Sequence, residues 1–182
     1  MRIGVLALQG AFREHLSCLD NLGINSIEVR TKSDLESIDG IILPGGESTA
    51  MMKLLHELDL KDSLIEYISK GLPTWGTCAG MILLSESHLA VMNIDTQRNA
   101  YGNQSGSFMK KHDFGDLLDI PMVFIRAPII KDYKETVEVL SVVDDKIVAA
   151  REKNVLATAF HPELTDDLNI HKYFIQMIRD SN

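Results

Sequence analysis

The sequence has little of what marks secreted, membrane-bound or nucleic-acid-binding proteins. Its 182 residues include only two cysteines, and its formal net charge of −8 leaves no excess of basic residues for phosphate binding. No apolar run approaches the ~20 residues that cross a bilayer. The apolar start also lacks the basic leader of a signal peptide. We therefore expect a cytoplasmic protein with reduced thiols, no membrane contact and no nucleic-acid partner.

Metal-binding and redox motifs are lacking as well. The sequence contains neither Cys-x-x-Cys nor His-Glu-x-x-His, and its histidines show no metal-ligand spacing. No metal and no cofactor are therefore predicted. Hydrophobic residues make up 45% and charged residues 24% of the chain, which is an ordinary globular composition. This length suits one sizeable core, so residues 1–182 are predicted to form a single domain.

Short apolar runs alternate with helical periodicity through the first half of the chain. The runs predict strands at residues 2–8, 26–29, 40–43 and 73–76. Helices are predicted from Phe12, from a cap at Ser48 or Thr49, and over residues 60–70 and 79–84. This alternation is typical of an α/β fold in which helices cover both faces of a mostly parallel sheet.

The second half is predicted to be richer in strands. These are expected at residues 122–125, 136–143, 146–150 and 155–159, with a hairpin turn at Asp144-Asp145 and a last helix over 169–179. The segment 86–111 has weak periodicity, so it is expected to be irregular surface structure near the site.

The clearest motif surrounds Cys78. Residues 76–80 read Gly-Thr-Cys-Ala-Gly between a predicted strand and a predicted helix, as in a nucleophile elbow that carries cysteine instead of serine. Glycines give room for a strained turn, and the helix N-terminus favours the thiolate, which is the reactive form. A buried cysteine packed beside glycines is the alternative interpretation of this motif alone.

A histidine and a carboxylate follow the last predicted strand. Residues 160–163 read Phe-His-Pro-Glu, so Pro162 stiffens a turn that lets Glu163 reach the ring of His161. A cysteine nucleophile needs a base, and the base needs an orienting acceptor. Alone, the segment suits a His-Pro turn with a solvated glutamate; together with Cys78, it indicates a Cys-His-Glu triad.

The loop at residues 44–49, Pro-Gly-Gly-Glu-Ser-Thr, is expected to face Cys78, because sites gather where parallel strands end. Backbone N–H groups of Gly46 and Ala79 are candidates for an oxyanion hole. A phosphate loop is a competing interpretation, but no Lys follows the glycines. A plain turn with a helix cap is the second competing interpretation of this loop.

These motifs together resemble class I glutamine amidotransferases, and within them the glutaminase subunit of pyridoxal 5′-phosphate synthase. The resemblance runs from residue 3 to about residue 178. It is carried by the elbow at 76–80, the His-Pro-Glu at 161–163, and the blocks at residues 4–15, 43–49, 98–102 and 124–128. It implies a flavodoxin-like fold in which Cys78 is the nucleophile, His161 the general base and acid, and Glu163 the orienting residue.

The resemblance also implies a glutamine-binding set and a partner. By motif, the residues that bind L-glutamine are Gly45, Gly46, Glu47, Arg98, Ile125 and Arg126. The ammonia released would pass to a synthase subunit, which combines it with ribose 5-phosphate and glyceraldehyde 3-phosphate. Two departures concern the partner contact: Asn103 stands where the family usually has Arg, and the 85–97 segment looks shorter than usual.

Three other interpretations use the same residues. The first is a glutaminase that feeds another synthesis, such as that of histidine or purines, but the blocks at 98–102 and 124–128 argue against it. The second is a non-catalytic interaction module, which the intact Cys78, His161 and Glu163 disfavour. The third is a cysteine peptidase or redox-stress protein, which would lack the His-Pro-Glu. Cys18 lies among leucines on a predicted helix and is expected to pack.

Overall fold

The computed structural model describes residues 1–101 and 106–181. Its helices are α1 (Phe12–Asn21), α2 (Lys32–Leu35), α3 (Ser48–Glu57), α4 (Lys61–Ser69), α5 (Ala79–Leu84) and α6 (Asn169–Ser181). Its strands are β1 (Arg2–Leu6), β2 (Asn25–Val29), β3 (Gly40–Leu43), β4 (Thr74–Thr77), β5 (Ile94–Gln97), β6 (Ser107–Phe114), β7 (Leu117–Ile125), β8 (Ile129–Tyr133), β9 (Glu138–Val143), β10 (Lys146–Glu152) and β11 (Val155–Thr158). No helix within these ranges combines the length and apolarity needed to span a membrane.

The main sheet joins a parallel part to an antiparallel part. Its strand order is β2-β1-β3-β4-β11-β10-β8-β5, with β9 paired to β10. Strands β2, β1, β3, β4 and β11 run parallel, whereas β10, β8 and β5 continue the sheet in antiparallel fashion. This mostly parallel, mixed α/β sheet with its helices confirms the predicted fold class.

The parallel strands place the ends of four segments side by side. Strands β1, β3, β4 and β11 are successive neighbours, so the residues that follow Leu6, Leu43, Thr77 and Thr158 leave the sheet at one edge. Strands β3, β4 and β11 are fully buried, and β3 and β11 accordingly appear in the sequence as mostly apolar runs.

Several local predictions are confirmed. Gly23 follows α1 with a φ of +68°, the left-handed conformation that ends a helix at glycine. Asp144 and Asp145 have φ values of +51° and +59° between β9 and β10, as a tight hairpin turn of the primed type requires. The predicted inward face of α6 is buried; it comprises Ile170, Phe174, Met177 and Ile178.

The prediction of irregular structure over residues 86–111 is wrong. This segment contains β5 and the start of β6, and β6 pairs with β7 in a separate two-stranded sheet. Strand β5 lies at the edge of the main sheet and β6 is largely exposed, so neither has the apolar pattern of a buried strand. The predicted cap of α3 is wrong too, because Glu47 is the residue that precedes the helix, and no side chain of the described residues caps it.

Candidate active site

Cys78 occupies the sharp turn between β4 and α5. Its φ of +49° lies in the left-handed region that residues with a Cβ seldom adopt. Its backbone N–H donates to the Thr158 carbonyl at 2.7 Å. A Cβ added at Gly80 would lie 1.9 Å from the Leu43 carbonyl oxygen, and one at Gly76 would lie 2.5 Å from the Gly80 backbone. Only glycine fits at these two positions, as the elbow motif suggested.

His161 and Glu163 lie on the turn that follows β11. Nδ1 of His161 donates to Oε1 of Glu163 at 2.7 Å, and both side chains are buried. A 3₁₀ turn, Pro162–Leu164, brings the carboxylate back toward the ring. The backbone N–H of His161 donates to the Val123 carbonyl of β7 at 2.8 Å, so the turn is fixed from the neighbouring hairpin.

The electrostatics of this pair favour a charged histidine. Burial disfavours the His161 imidazolium, but hydrogen bonds with Cys78 and Glu163 outweigh burial and raise the pKa of His161 to about 10. Burial also disfavours the Glu163 carboxylate, yet nearby His15 and the hydrogen bond from His161 bring its pKa below the ordinary value. An ionised Glu163 thus orients a protonated His161 that hydrogen-bonds to Cys78, as a general acid and base requires.

A cavity of about 520 Å³ opens where the parallel strands end. It brings together most residues of the predicted site: Gly46, Glu47, Cys78, Ala79, Arg98, Ile125, Arg126 and His161. Two predicted residues do not line its walls. Glu163 bonds to Nδ1 of His161, and Gly45 packs against that ring, since a Cβ added at Gly45 would lie 2.4 Å from its Cε1 atom.

Residues 5–180 match the SNO glutamine amidotransferase family. The chain belongs to this family. The family predicted from the sequence motifs is thereby confirmed.

Relatives of this glutamine amidotransferase extend over its whole length. A pyridoxal 5′-phosphate synthase subunit PdxT of Streptococcus pneumoniae (strain CGSP14) is 51% identical over 191 residues, which cover 99% of this chain and 98% of the relative. The subunit of that name from a serotype 2 strain is 49% identical, with complete coverage of both chains. A crystal structure of a glutamine amidotransferase superimposes with a TM-score of 0.94 at 42% identity, covering 97% of this chain and 98% of the other.

The 44–49 loop of this amidotransferase is held by the segment after β1. The Glu47 N–H donates to the side-chain oxygen of Gln9 at 2.8 Å, and the Ala11 N–H donates to the Gly45 carbonyl at 2.9 Å. Gln9 also lines the cavity, although the sequence analysis noted it only within the opening block. Its position directly after the strand predicted at residues 2–8 was the available signal.

The predicted arginines reach the cavity from the antiparallel side. Arg98 follows β5, and its guanidinium donates to the hydroxyls of Ser48 and Thr49 at the start of α3. Arg126 follows β7 with a φ of +43°, and its backbone N–H donates to the Gly106 carbonyl at 2.8 Å. Asn103, the expected departure from the family, lies outside the described residues.

A buried polar cluster behind Glu163 was not predicted. His15 of α1 and His171 of α6 are fully buried, and their ring nitrogens approach to 3.0 Å. His15 precedes Leu19 by one helical turn on the inward face of α1, so a histidine within an apolar stripe was the available signal.

The remaining predictions concern thiols and metals. Cys18 and Cys78 are both free and buried. Burial, together with Glu163 and Glu14, raises the pKa of the Cys18 thiol to about 11, which suits the packing role expected for it. In the part of the chain that the structure describes, no cluster of His, Cys, Asp and Glu is arranged to hold a metal ion.

Proposed function

We propose that this chain is the glutaminase subunit of a pyridoxal 5′-phosphate synthase and hydrolyses L-glutamine to L-glutamate and ammonia. One observation carries the proposal: a thiol on a strained elbow and a buried His–Glu pair meet at one cavity in a glutamine amidotransferase. A relative that is 51% identical over its whole length is a pyridoxal 5′-phosphate synthase subunit. Residues 1–182 are proposed to form a single glutaminase domain, and a cytoplasmic location would suit its free thiols.

The proposed reaction has two halves. The Cys78 thiolate attacks the side-chain amide carbon, and the tetrahedral oxyanion is held by the backbone N–H groups of Gly46 and Ala79. His161 gives a proton to the amide nitrogen, the C–N bond breaks and ammonia departs. The glutamyl group remains bound to Cys78 as a thioester. His161 then takes a proton from water as the oxygen attacks the thioester, which releases L-glutamate and restores the thiolate. Glu163 holds the ring of His161 throughout.

The ends of the cavity suit the charged groups of glutamine. Arg98 and Arg126 offer guanidinium groups for the α-carboxylate, which a planar fork can hold by both oxygens. Glu47 supplies an opposite charge on the facing loop, where it suits the α-ammonium group. Ile125 adds apolar contact for the methylene chain. Gly45 supports this site from behind His161 rather than by touching the substrate.

The proposed partner is the synthase subunit of pyridoxal 5′-phosphate synthase, to which the ammonia is delivered. The test is glutamate release from L-glutamine by the purified chain, with and without that subunit from the same source. We expect the synthase subunit to stimulate release strongly. We expect Cys78→Ala to abolish release while it still binds the synthase subunit, whereas Cys18→Ala, the matched thiol control, keeps activity.

Two outcomes would contradict the proposal. If the assembled wild-type complex released no glutamate, the chain would be a non-catalytic module on this fold. The other outcome is that a different biosynthetic synthase stimulates glutamate release and the pyridoxal 5′-phosphate synthase subunit does not. The glutaminase activity would then stand, and the assigned partner would be wrong.

A further inference from the structure

The Glu163 carboxylate has a second oxygen that the His161 hydrogen bond does not use. Oε1 accepts from His161, whereas Oε2 is buried and has no hydrogen-bond partner among the described residues. Nε2 of His15 lies 3.4 Å from Oε2, and both side chains are completely shielded from solvent. A buried carboxylate oxygen without a donor is costly. The ring of His15 therefore affects how firmly Glu163 is held.

His15 is itself part of a chain of contacts. Its Nε2 lies 3.3 Å from the hydroxyl of Thr77, the residue before Cys78, and its Nδ1 lies 3.0 Å from Nε2 of His171. Trp75 meets both rings edge-on, with centroid distances of 5.4 Å to His15 and 4.9 Å to His171. The close packing leaves both rings little freedom to turn away.

Both histidines are neutral near neutral pH. Burial is the largest influence on His15 and lowers its pKa, although Glu163 and Glu14 oppose it and His161 adds to it. Burial and His15 lower the pKa of His171 to about 3. Each ring therefore carries a single proton, and the position of that proton on one ring fixes its position on the other.

Only one arrangement of the two protons suits Glu163. With the His15 proton on Nε2, an N–H faces Thr77 and the carboxylate, and Nδ1 accepts from Nε2–H of His171. Nδ1 of His171, which has no hydrogen-bond partner within residues 1–101 and 106–181, is then an acceptor. In the reverse arrangement a lone pair of His15 would face the carboxylate, and His171 would bury an N–H without an acceptor. Buried orphan donors are rarer than orphan acceptors, so both ends of the chain favour the first arrangement.

We propose that His15 and His171 are positioning residues of the glutaminase reaction. The polarised chain from His171 through His15 places the positive end of the His15 Nε2–H bond, which contacts the Thr77 hydroxyl, 3.4 Å from the free oxygen of Glu163. Its field stabilises the carboxylate that orients His161. This inference rests on the proposed glutaminase function and adds residues from α1 and α6 to the support of its site.

The test measures the pH dependence of Cys78 reactivity and of catalysis. In a Cys18→Ala background, Cys78 is the only thiol, and its rate of alkylation by iodoacetamide reports the thiolate. We expect His15→Leu to weaken the support of the His161 imidazolium and shift the alkaline limb of kcat/KM to lower pH by about one unit. The alkylation profile should shift to higher pH, because a less stable imidazolium stabilises the thiolate less. With the synthase subunit bound, kcat should fall about ten-fold while KM for glutamine stays unchanged.

Two further variants separate positioning from packing. His15→Gln keeps an N–H near the place of Nε2 and should restore most of kcat and of the alkaline limb. Phe174→Leu disturbs the same aromatic cluster, where Phe174 lies 5.6 Å from Trp75, but removes no donor. It should lower stability and leave both pH profiles unchanged.

Unchanged pH profiles in a folded His15→Leu variant would overturn the proposal. So would an equal shift in Phe174→Leu. Should His15→Leu fail to fold, His171→Leu is the deciding variant, because it removes the donor that fixes the position of the His15 proton. It must shift the alkaline limb of kcat/KM to lower pH. A wild-type complex that releases no glutamate refutes the proposed function instead, and the alkylation profile still tests the histidine chain.

Discussion

At Cys78 the backbone takes a conformation that costs free energy, and this conformation is also what presents the thiol. A left-handed φ at a residue other than glycine costs about 1–3 kcal/mol and persists where the surroundings fix it. Here the fixing contacts are the 2.7 Å hydrogen bond from the Cys78 N–H to Thr158 and the tight passage of Gly80 against Leu43. The strain therefore lies at the residue proposed to carry the chemistry.

Gly45 gives a residue-scale prediction. A methyl group at this position would lie 2.4 Å from Cε1 of His161, so Gly45→Ala should push the ring away from its place beside Cys78. Misplacing a catalytic group by about 1 Å can cost 10²-fold in rate. We expect a fall of kcat of roughly 10- to 100-fold in glutamate release by the complex, with the chain still folded.

Gly23→Ala is the control for this prediction, because a Cβ there meets no atom of the described residues within 4 Å. It should leave kcat unchanged despite its strained φ of +68°. Full activity in Gly45→Ala would show that His161 does not need the position described above.

At the scale of elements, the buried parallel strands and the β9–β10 hairpin were predictable, whereas β5, β6 and β8 were not. The apolar runs at β1 and β3 carry the strand signal because both faces of these strands are covered. Strand β6 is exposed along most of its length, and its pairing with β7 cannot be inferred from its own residues.

The same contrast applies within the candidate site. Cys78 and His161 stand in short motifs whose spacing carries their chemistry. His15 and His171 are 156 positions apart, and only the packing of α1 and α6 brings their rings together. A sequence pattern marks each of them as a polar residue on an apolar face without indicating the other.

The join between β4 and α5 gives an element-scale prediction. A methyl group at Gly80 would lie 1.9 Å from the Leu43 carbonyl oxygen, and backbone atoms on both sides cannot move apart without displacing β3 from α5. We expect Gly80→Ala to lower the free energy of unfolding by about 3 kcal/mol or more. Urea denaturation of the purified variant is the measurement.

Gly71→Ala is the matched control, since its Cβ meets no atom within 4 Å in the part of the chain that the structure describes, and its φ of +107° is unfavourable. It should cost about 1–2 kcal/mol. Equal losses in the two variants would mean that backbone strain, and not the close approach of α5 to β3, sets the need for glycine.

At the scale of the whole molecule, stability depends on pH through two buried histidines whose pKa values are shifted in opposite directions. The pKa of His161 is raised to about 10, so its contribution is complete below the unfolded value of about 6.5 and is lost as the pH rises toward 10. The pKa of His171 is lowered to about 3, so its contribution is present above about 6.5 and is lost as the pH falls. These two histidines together favour greatest stability near pH 6.5.

The contribution of His171 to the acid side can be tested apart from that of His15, whose pKa burial also lowers. Between about pH 6.5 and pH 5, where carboxylates are still ionised in the unfolded chain, a buried neutral histidine lowers the free energy of unfolding by about 1.4 kcal/mol per pH unit. His171→Leu should flatten the measured decline by about this slope in urea denaturation series across that range. His56→Gln, at an exposed position of α3, controls for the loss of an imidazole. If the free energy of unfolding of His171→Leu fell with pH as steeply as that of the wild type and of His56→Gln, protonation of the buried histidines would not cause the acid destabilisation. The neutral state of His171, on which the His171–His15 chain depends, would then be wrong.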